Sequence, residues 1–141
     1  YMAFLRKKIM NDENIMEVLK DIKKHPGCYF VGGRSFLLTA AFLSGYFTGR
    51  VDIGNFREWL VLKSDYRYNN AWWTQLVLLL AFPGKYVEYN LIPDEDIARN
   101  CLLDMTIEYL VERENRGENL IHQDYCELQK RCQEKYRDIE R

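Results

Sequence analysis

The sequence predicts an all-α fold, a compact single helical domain over residues 1–141 built from five or six helices. Three observations predict it. Apolar residues recur at three- and four-residue spacing in almost every segment. Helix breakers (His25-Pro26-Gly27, Gly49, Pro83-Gly84 and Gly117) cut the chain into helix-sized pieces. With 141 residues, 48% of them hydrophobic, the chain fits one ordinary core, and no internal repeat or low-complexity linker divides it.

Taken in order, Asp12 caps a first helix in which Ile15, Met16, Leu19 and Ile22 share a face, with Lys20, Lys23 and Lys24 at the end where the helix dipole favours cations. A short apolar run, Cys28-Tyr29-Phe30-Val31, leads to Gly32-Gly33. Ser35 then opens a second helix carrying Phe36, Leu37, Ala40, Leu43 and Phe47, which Gly49 ends. Asn55 or Asp52 starts a short third helix with Phe56, Trp59, Leu60 and Leu62, followed by a polar, aromatic loop over 64–70. The fourth helix, 71–81, is apolar nearly all round, which assigns it to the centre of the core. After Pro83-Gly84, residues 86–91 read equally well as a short strand or an extended loop. Asp94 caps a long fifth helix, with Glu95 and Asp96 in its first turn, ending at about 113–115 before Gly117. A sixth helix follows with a narrow seam of Ile121, Tyr125, Leu128, Cys132, Tyr136 and Ile139.

A net charge of -1 excludes a whole-molecule basic field of the kind that binds nucleic acid non-specifically. The most apolar stretches, 36–47 and 71–82, fall short of the roughly 20 residues a membrane span requires. Charges follow the apolar residues at the N-terminus, the reverse of a secretory signal, so a cytoplasmic location is expected. Cys28, Cys101, Cys126 and Cys132 lack tight disulfide or CxxC spacing and are expected as mostly buried free thiols.

Charge is uneven along the chain: +3 over 1–34, +1 over 35–93 and -5 over 94–141. On the fifth helix Asp104, Glu108 and Glu112 recur every four residues, a like-charge column that mildly destabilises its own helix. Only Glu112 has a local cation, Arg116, so the remaining compensation is expected from elsewhere in the fold or from a partner.

The chemistry-bearing patterns are weaker. His25-x-x-Cys28 and His122-x-x-x-Cys126 lack standard zinc spacing and are read as structural or surface histidines, with no metal and no cofactor expected. No GxSxG elbow is present, and a carboxylate column on a helix surface lacks the desolvation that would separate two pKa values, so no catalytic residue is assigned and the protein is expected not to be an enzyme. Gly32-Gly33-Arg34-Ser35 lacks the phosphate-loop spacings and is read as a tight turn with a Ser cap. Tyr66-Arg67-Tyr68 with Arg57 and Lys63 has the ingredients for stacking on single strands, but Asp65 and the lack of a basic run favour a protein-contacting or core-covering loop, with no direct nucleic-acid partner.

The line Tyr29-Phe30-Val31-Gly32-Gly33-Arg34-Ser35, then Ala41-Phe42-Leu43-Ser44-Gly45-Tyr46 and Gly49, then Phe56-Arg57-Glu58-Trp59-Leu60 and Asn70-Ala71-Trp72-Trp73, resembles small bacterial immunity proteins encoded beside polymorphic or contact-dependent growth-inhibition toxins. The resemblance covers 29–76 and, in acidic helical character only, 94–141; the doubled Trp and the long last helix depart from it. It implies a non-enzymatic inhibitor that binds the C-terminal toxin domain of a cognate protein, possessing nuclease activity in one version, and blocks its active site or substrate approach. On that reading Asp104, Glu108, Glu112, Glu114 and Glu118 form an acidic face for a basic toxin, with Tyr66, Tyr68, Tyr86 and Tyr89 as further contacts. Independently of the resemblance, Gly45 is expected to let a neighbouring helix approach closely, and Trp59, Trp72 and Trp73 to fill the core or, where exposed, to anchor a partner. The state expected is a monomer or weak homodimer; the alternative is a helical scaffold that self-associates through the Ile121-to-Ile139 seam without a toxin.

Overall fold

A computed structural model describes residues 15–26, 35–64 and 70–140, with side chains to 137. Six helices and no strand occur among the described residues: α1 (Ile15–Lys24), α2 (Phe36–Phe47), α3 (Ile53–Ser64), α4 (Trp73–Ala81), α5 (Glu95–Arg116) and α6 (Glu118–Glu140). Asp12, Cys28, the 29–34 segment, Asp65, Tyr66, Arg67 and Tyr68 lie outside them.

Local chemistry sets most of the boundaries. The Ser35 side chain accepts from Leu38 N at the start of α2, and Asp94 accepts from Ile97 N at the start of α5. At α3 the cap is Asp52, whose carboxylate accepts from Gly54 N at 2.8 Å. Asn55, the other candidate, is buried inside the helix instead. Helix α4 starts at Trp73, two residues later than the sequence predicts, because Trp72 is extended (φ -69°, ψ 153°) and contributes only its carbonyl, which accepts from Leu76 N. Gly117, at φ 86°, ends α5 at Arg116, and α6 begins at the next residue. Residues 85–88 have no regular secondary structure, and a turn closed by Leu91 N and Glu88 O follows. The 86–91 segment is therefore a loop, pinned by the buried Val87.

Helix α5 is the axis of the domain and packs against every other described helix. Its inner residues Ala98, Leu102, Leu103, Thr106 and Tyr109 are buried, as are Ile15, Val18, Leu19 and Ile22 of α1 and Leu76, Val77 and Leu78 of α4. Phe56 of α3 is the aromatic hub, with ring centroids 5.0 Å from Tyr109, 5.7 Å from Phe47 and 5.8 Å from Trp73. Beneath it lies a polar node. Tyr109 donates its hydroxyl to Asn55 Oδ1 at 2.8 Å, and Asn55 Nδ2 donates to the Glu118 carbonyl at 3.0 Å, which joins α3, α5 and the first turn of α6.

A second tertiary tie was invisible in the sequence. Glu95, in the first turn of α5, reaches across to accept from Phe36 N at 2.8 Å, so an anion sits at the N-terminus of α2. Gly45 departs from its expected role among the described residues: it is exposed, and a Cβ there would meet nothing within 4 Å, so none of the described helices approaches it. Among the described side chains, the α6 seam is anchored in its first half, where Ile121 is buried and Tyr125 and Leu128 pack on the core; the side chain of Ile139 lies outside them. Tyr136 is exposed.

Candidate functional site

Asp104, Glu108 and Glu112 do stack along one face of α5, and cations reach them from three places in the fold. Lys23 of α1 pairs with Asp104 at 2.7 Å, Lys63 of α3 pairs with Glu108 at 3.1 Å, and Arg116 pairs with Glu112 at 3.3 Å. Glu112 also accepts from the indole N–H of Trp59, and the Lys63 ammonium lies 5.5 Å from the centroid of that ring. The like-charge column is thus compensated internally. Both partners of every one of these pairs are a third to a half exposed, so solvent screens them and each contributes little net stability.

Between α3 and α5 this column borders a groove of about 560 Å³, with Trp59, Ile107 and Val111 supplying its apolar surface and Lys63, Glu108 and Glu112 its charge. Glu114 and Glu118 stand apart from it. Both line a larger depression, about 930 Å³, between α1, the end of α2 and the α5–α6 junction, together with Arg50 and Arg113. Glu118 is paired with Arg113 at 2.9 Å, whereas Glu114 has no ion-pair partner among the described residues. The five acidic residues therefore form two surfaces, because residues 112 and 114 are two apart and a helix turns about 100° per residue.

A third surface lies at the N-terminal end of α4. The Tyr89 hydroxyl is hydrogen-bonded to Thr74 Oγ1, which holds the 85–92 loop against the start of that helix. On the two segments so joined, Trp72 is 61% exposed, Tyr86 76% and Leu91 67%. Trp72 and Trp73 divide the two roles open to them: Trp73 faces the core and its neighbour faces solvent, since adjacent residues cannot share one side of a helix start. The exposure of Leu91 was not anticipated, and its only signal was its place in a loop between two breakers.

Sequence reasoning also missed a pairing between α3 and α6. His122 Nδ1 is hydrogen-bonded to Glu58 Oε2, and its Nε2 lies 3.5 Å from Cys126 Sγ. Neither groove reaches these three residues. Among the described residues no group of three or more His, Cys, Asp or Glu side chains is placed to hold a metal ion, and Cys101, Cys126 and Cys132 are free, half-buried thiols. Burial, with Asp104 and Glu108 adding to it, pushes the Cys101 thiol up from 9.0 to about 11, so it is protonated and inert at neutral pH. No helix of the described residues is long and apolar enough to cross a membrane.

The chain defines an all-α helical domain with two charged grooves and an exposed aromatic end. It matches no family model, no curated protein and no solved structure.

Proposed function

We propose that the protein works by binding another protein, as an immunity protein that neutralises a cognate bacterial toxin domain by covering its active site or the approach of its substrate. The observation that carries this reading is the aromatic end. Trp72, Tyr86 and Leu91 present large apolar side chains to solvent on two segments tied together by the Thr74–Tyr89 hydrogen bond. Trp and Tyr anchors on a fixed backbone lose little conformational entropy on binding and supply much of the affinity of a typical interface. In this reading Trp72, Tyr86 and Tyr89 are the first contacts.

The α5 column is the second. Exposed ion pairs of such small net worth exchange partners at little cost, so a basic toxin surface replaces Lys23 and Lys63 at Asp104 and Glu108 while gaining the apolar floor of Trp59 and Val111. Its contribution is to association rate and falls with salt. The seam on α6 offers the alternative, a self-associating scaffold, less material, because Ile121, Tyr125 and Leu128 are used on the chain's own core.

The test is co-expression with the polypeptide encoded immediately upstream, scored by a stoichiometric complex and by rescue of growth. Trp72→Ala with Tyr86→Ala is expected to weaken the complex at least tenfold at any salt concentration. Asp104→Lys with Glu108→Lys is expected to slow association at low salt and to have little effect at high salt. Absence of both complex and rescue refutes the proposal; rescue that is indifferent to both double variants keeps the function and removes these faces from it.

A further inference from the structure

Glu58, His122 and Cys126 make up an arrangement that neither the acidic column nor the aromatic end uses. Ionised carboxylates only accept hydrogen bonds, so the contact with Glu58 Oε2 places the neutral imidazole's proton on Nδ1. Nε2 is thereby left as an acceptor, and the thiol of Cys126, one helical turn further along α6, donates to it. The His122 side chain is 59% exposed and the Cys126 side chain half-buried, so the pair is open to solvent on the imidazole side.

Their separation is informative. A tetrahedral zinc ion bound by one imidazole nitrogen at about 2.05 Å and one thiolate sulfur at about 2.3 Å holds those two atoms about 3.6 Å apart. His122 Nε2 and Cys126 Sγ are 3.5 Å apart, joined by the S–H···N hydrogen bond, so a metal ion taking the place of the thiol proton would require little movement of either atom. The carboxylate on the far ring nitrogen is the outer partner that metal-ligating histidines characteristically have, fixing both tautomer and ring orientation. Helix α6 supplies both ligands from one rigid element, and α3, packed against it, supplies the orienting group.

We propose that His122 and Cys126 form a binding site for zinc, or a cation of the same borderline softness, with Glu58 as the positioning residue. The pair fills two of four tetrahedral positions, and the other two remain open to solvent or to the same pair of a second copy. Binding replaces the thiol proton: the metal–sulfur bond forms as Cys126 releases its proton to solvent, and no redox change occurs. The expectation drawn from the sequence, that these are surface residues with no metal, took account of the unusual spacing but not of Glu58, which lies 64 positions away. This site is independent of the immunity reading, and either stands if the other fails.

The experiment is titration of the full chain with Co²⁺, followed by displacement with Zn²⁺. Co²⁺ reports a thiolate ligand by a sulfur-to-metal charge-transfer band. The expected result is one such band that saturates and is lost on adding Zn²⁺. Cys126→Ser is expected to abolish the band and His122→Ala to abolish saturable binding. Cys132→Ser, which alters a thiol outside the site, leaves both unchanged. Glu58→Gln keeps an acceptor on Nδ1 but removes its charge, and is expected to weaken affinity by roughly 10- to 100-fold. Matched far-UV circular dichroism shows that each variant is folded. One metal per two chains with a zinc-dependent dimer supports the same ligands, the second copy filling the open positions. A band that survives Cys126→Ser, or no band in the unaltered chain, overturns the proposal.

Discussion

Tyr109→Phe isolates the polar node that ties three helices together. The substitution removes one oxygen and retains the ring, so the 5.0 Å contact with Phe56 and the 5.8 Å contact with Trp59 remain. What is lost is the 2.8 Å bond to Asn55 Oδ1, in a residue only 3% exposed that water cannot readily reach. A net hydrogen bond contributes about 1 kcal/mol, and the stranded Asn55 oxygen adds a desolvation penalty of about 1–2 kcal/mol, so the expected loss is about 2–3 kcal/mol. Urea unfolding followed by tryptophan fluorescence measures it, because Trp59 and Trp73 are buried beside the node. The pH dependence supplies an independent signature. Burial, and next the Glu118 carboxylate, push the Tyr109 phenol well above its ordinary value of 10. An acid whose folded pKa is raised gives stability that is complete below its unfolded pKa and lost as pH rises beyond it. Tyr109→Phe should therefore flatten the decline in stability above pH 10. A cost below about 0.5 kcal/mol at pH 7, with an unchanged alkaline decline, would refute the reasoning and show that Asn55 finds another donor.

Three further outcomes follow from the same packing. Phe56→Ala removes the hub of the aromatic cluster and should cost about 3–5 kcal/mol by the same unfolding assay. Glu95→Gln keeps a hydrogen-bonding oxygen for Phe36 N but removes the charge that favours both helix starts, and should cost about 0.5–1 kcal/mol, a loss that salt diminishes. Cys101 should remain unalkylated by iodoacetamide at pH 8 in the folded chain and become labelled in urea; its raised pKa also means that stability is lost as pH rises from 9 towards 11, a loss that Cys101→Ala should reduce.

Local chemistry was legible in the sequence because its determinants lie within a turn or two of one another. Ser35, Asp52 and Asp94 cap helices that begin one residue later, and Gly49 and Gly117 take the positive φ that their helix ends require. The 3.6-residue period assigned Ile15, Leu19 and Ile22 of α1 and Phe36, Ala40, Leu43 and Phe47 of α2 to buried faces, but it passed over Val18 and counted Leu37, which the structure leaves exposed. The failures have equally local causes. The sequence does not show that Trp72 is extended, which moved the start of α4, nor that Gly45 faces solvent, since a small residue at a helix surface reads the same as one at a helix crossing.

By itself, then, the sequence determined the all-α class, the helix order and the like-charge column on α5, all of which follow from spacing along the chain. Only the tertiary structure decided what answers that column, bringing Lys23 from 81 positions away to Asp104. It alone also separated Glu114 from Glu112, turned Trp72 outward while Trp73 went in, and set Glu58 behind His122. The physical reason is common to all of these. Period and capping are short-range properties of backbone geometry, whereas ion-pair partners, exposure and ligand orientation depend on how helices cross, and crossings are fixed by side-chain packing between residues far apart in the chain.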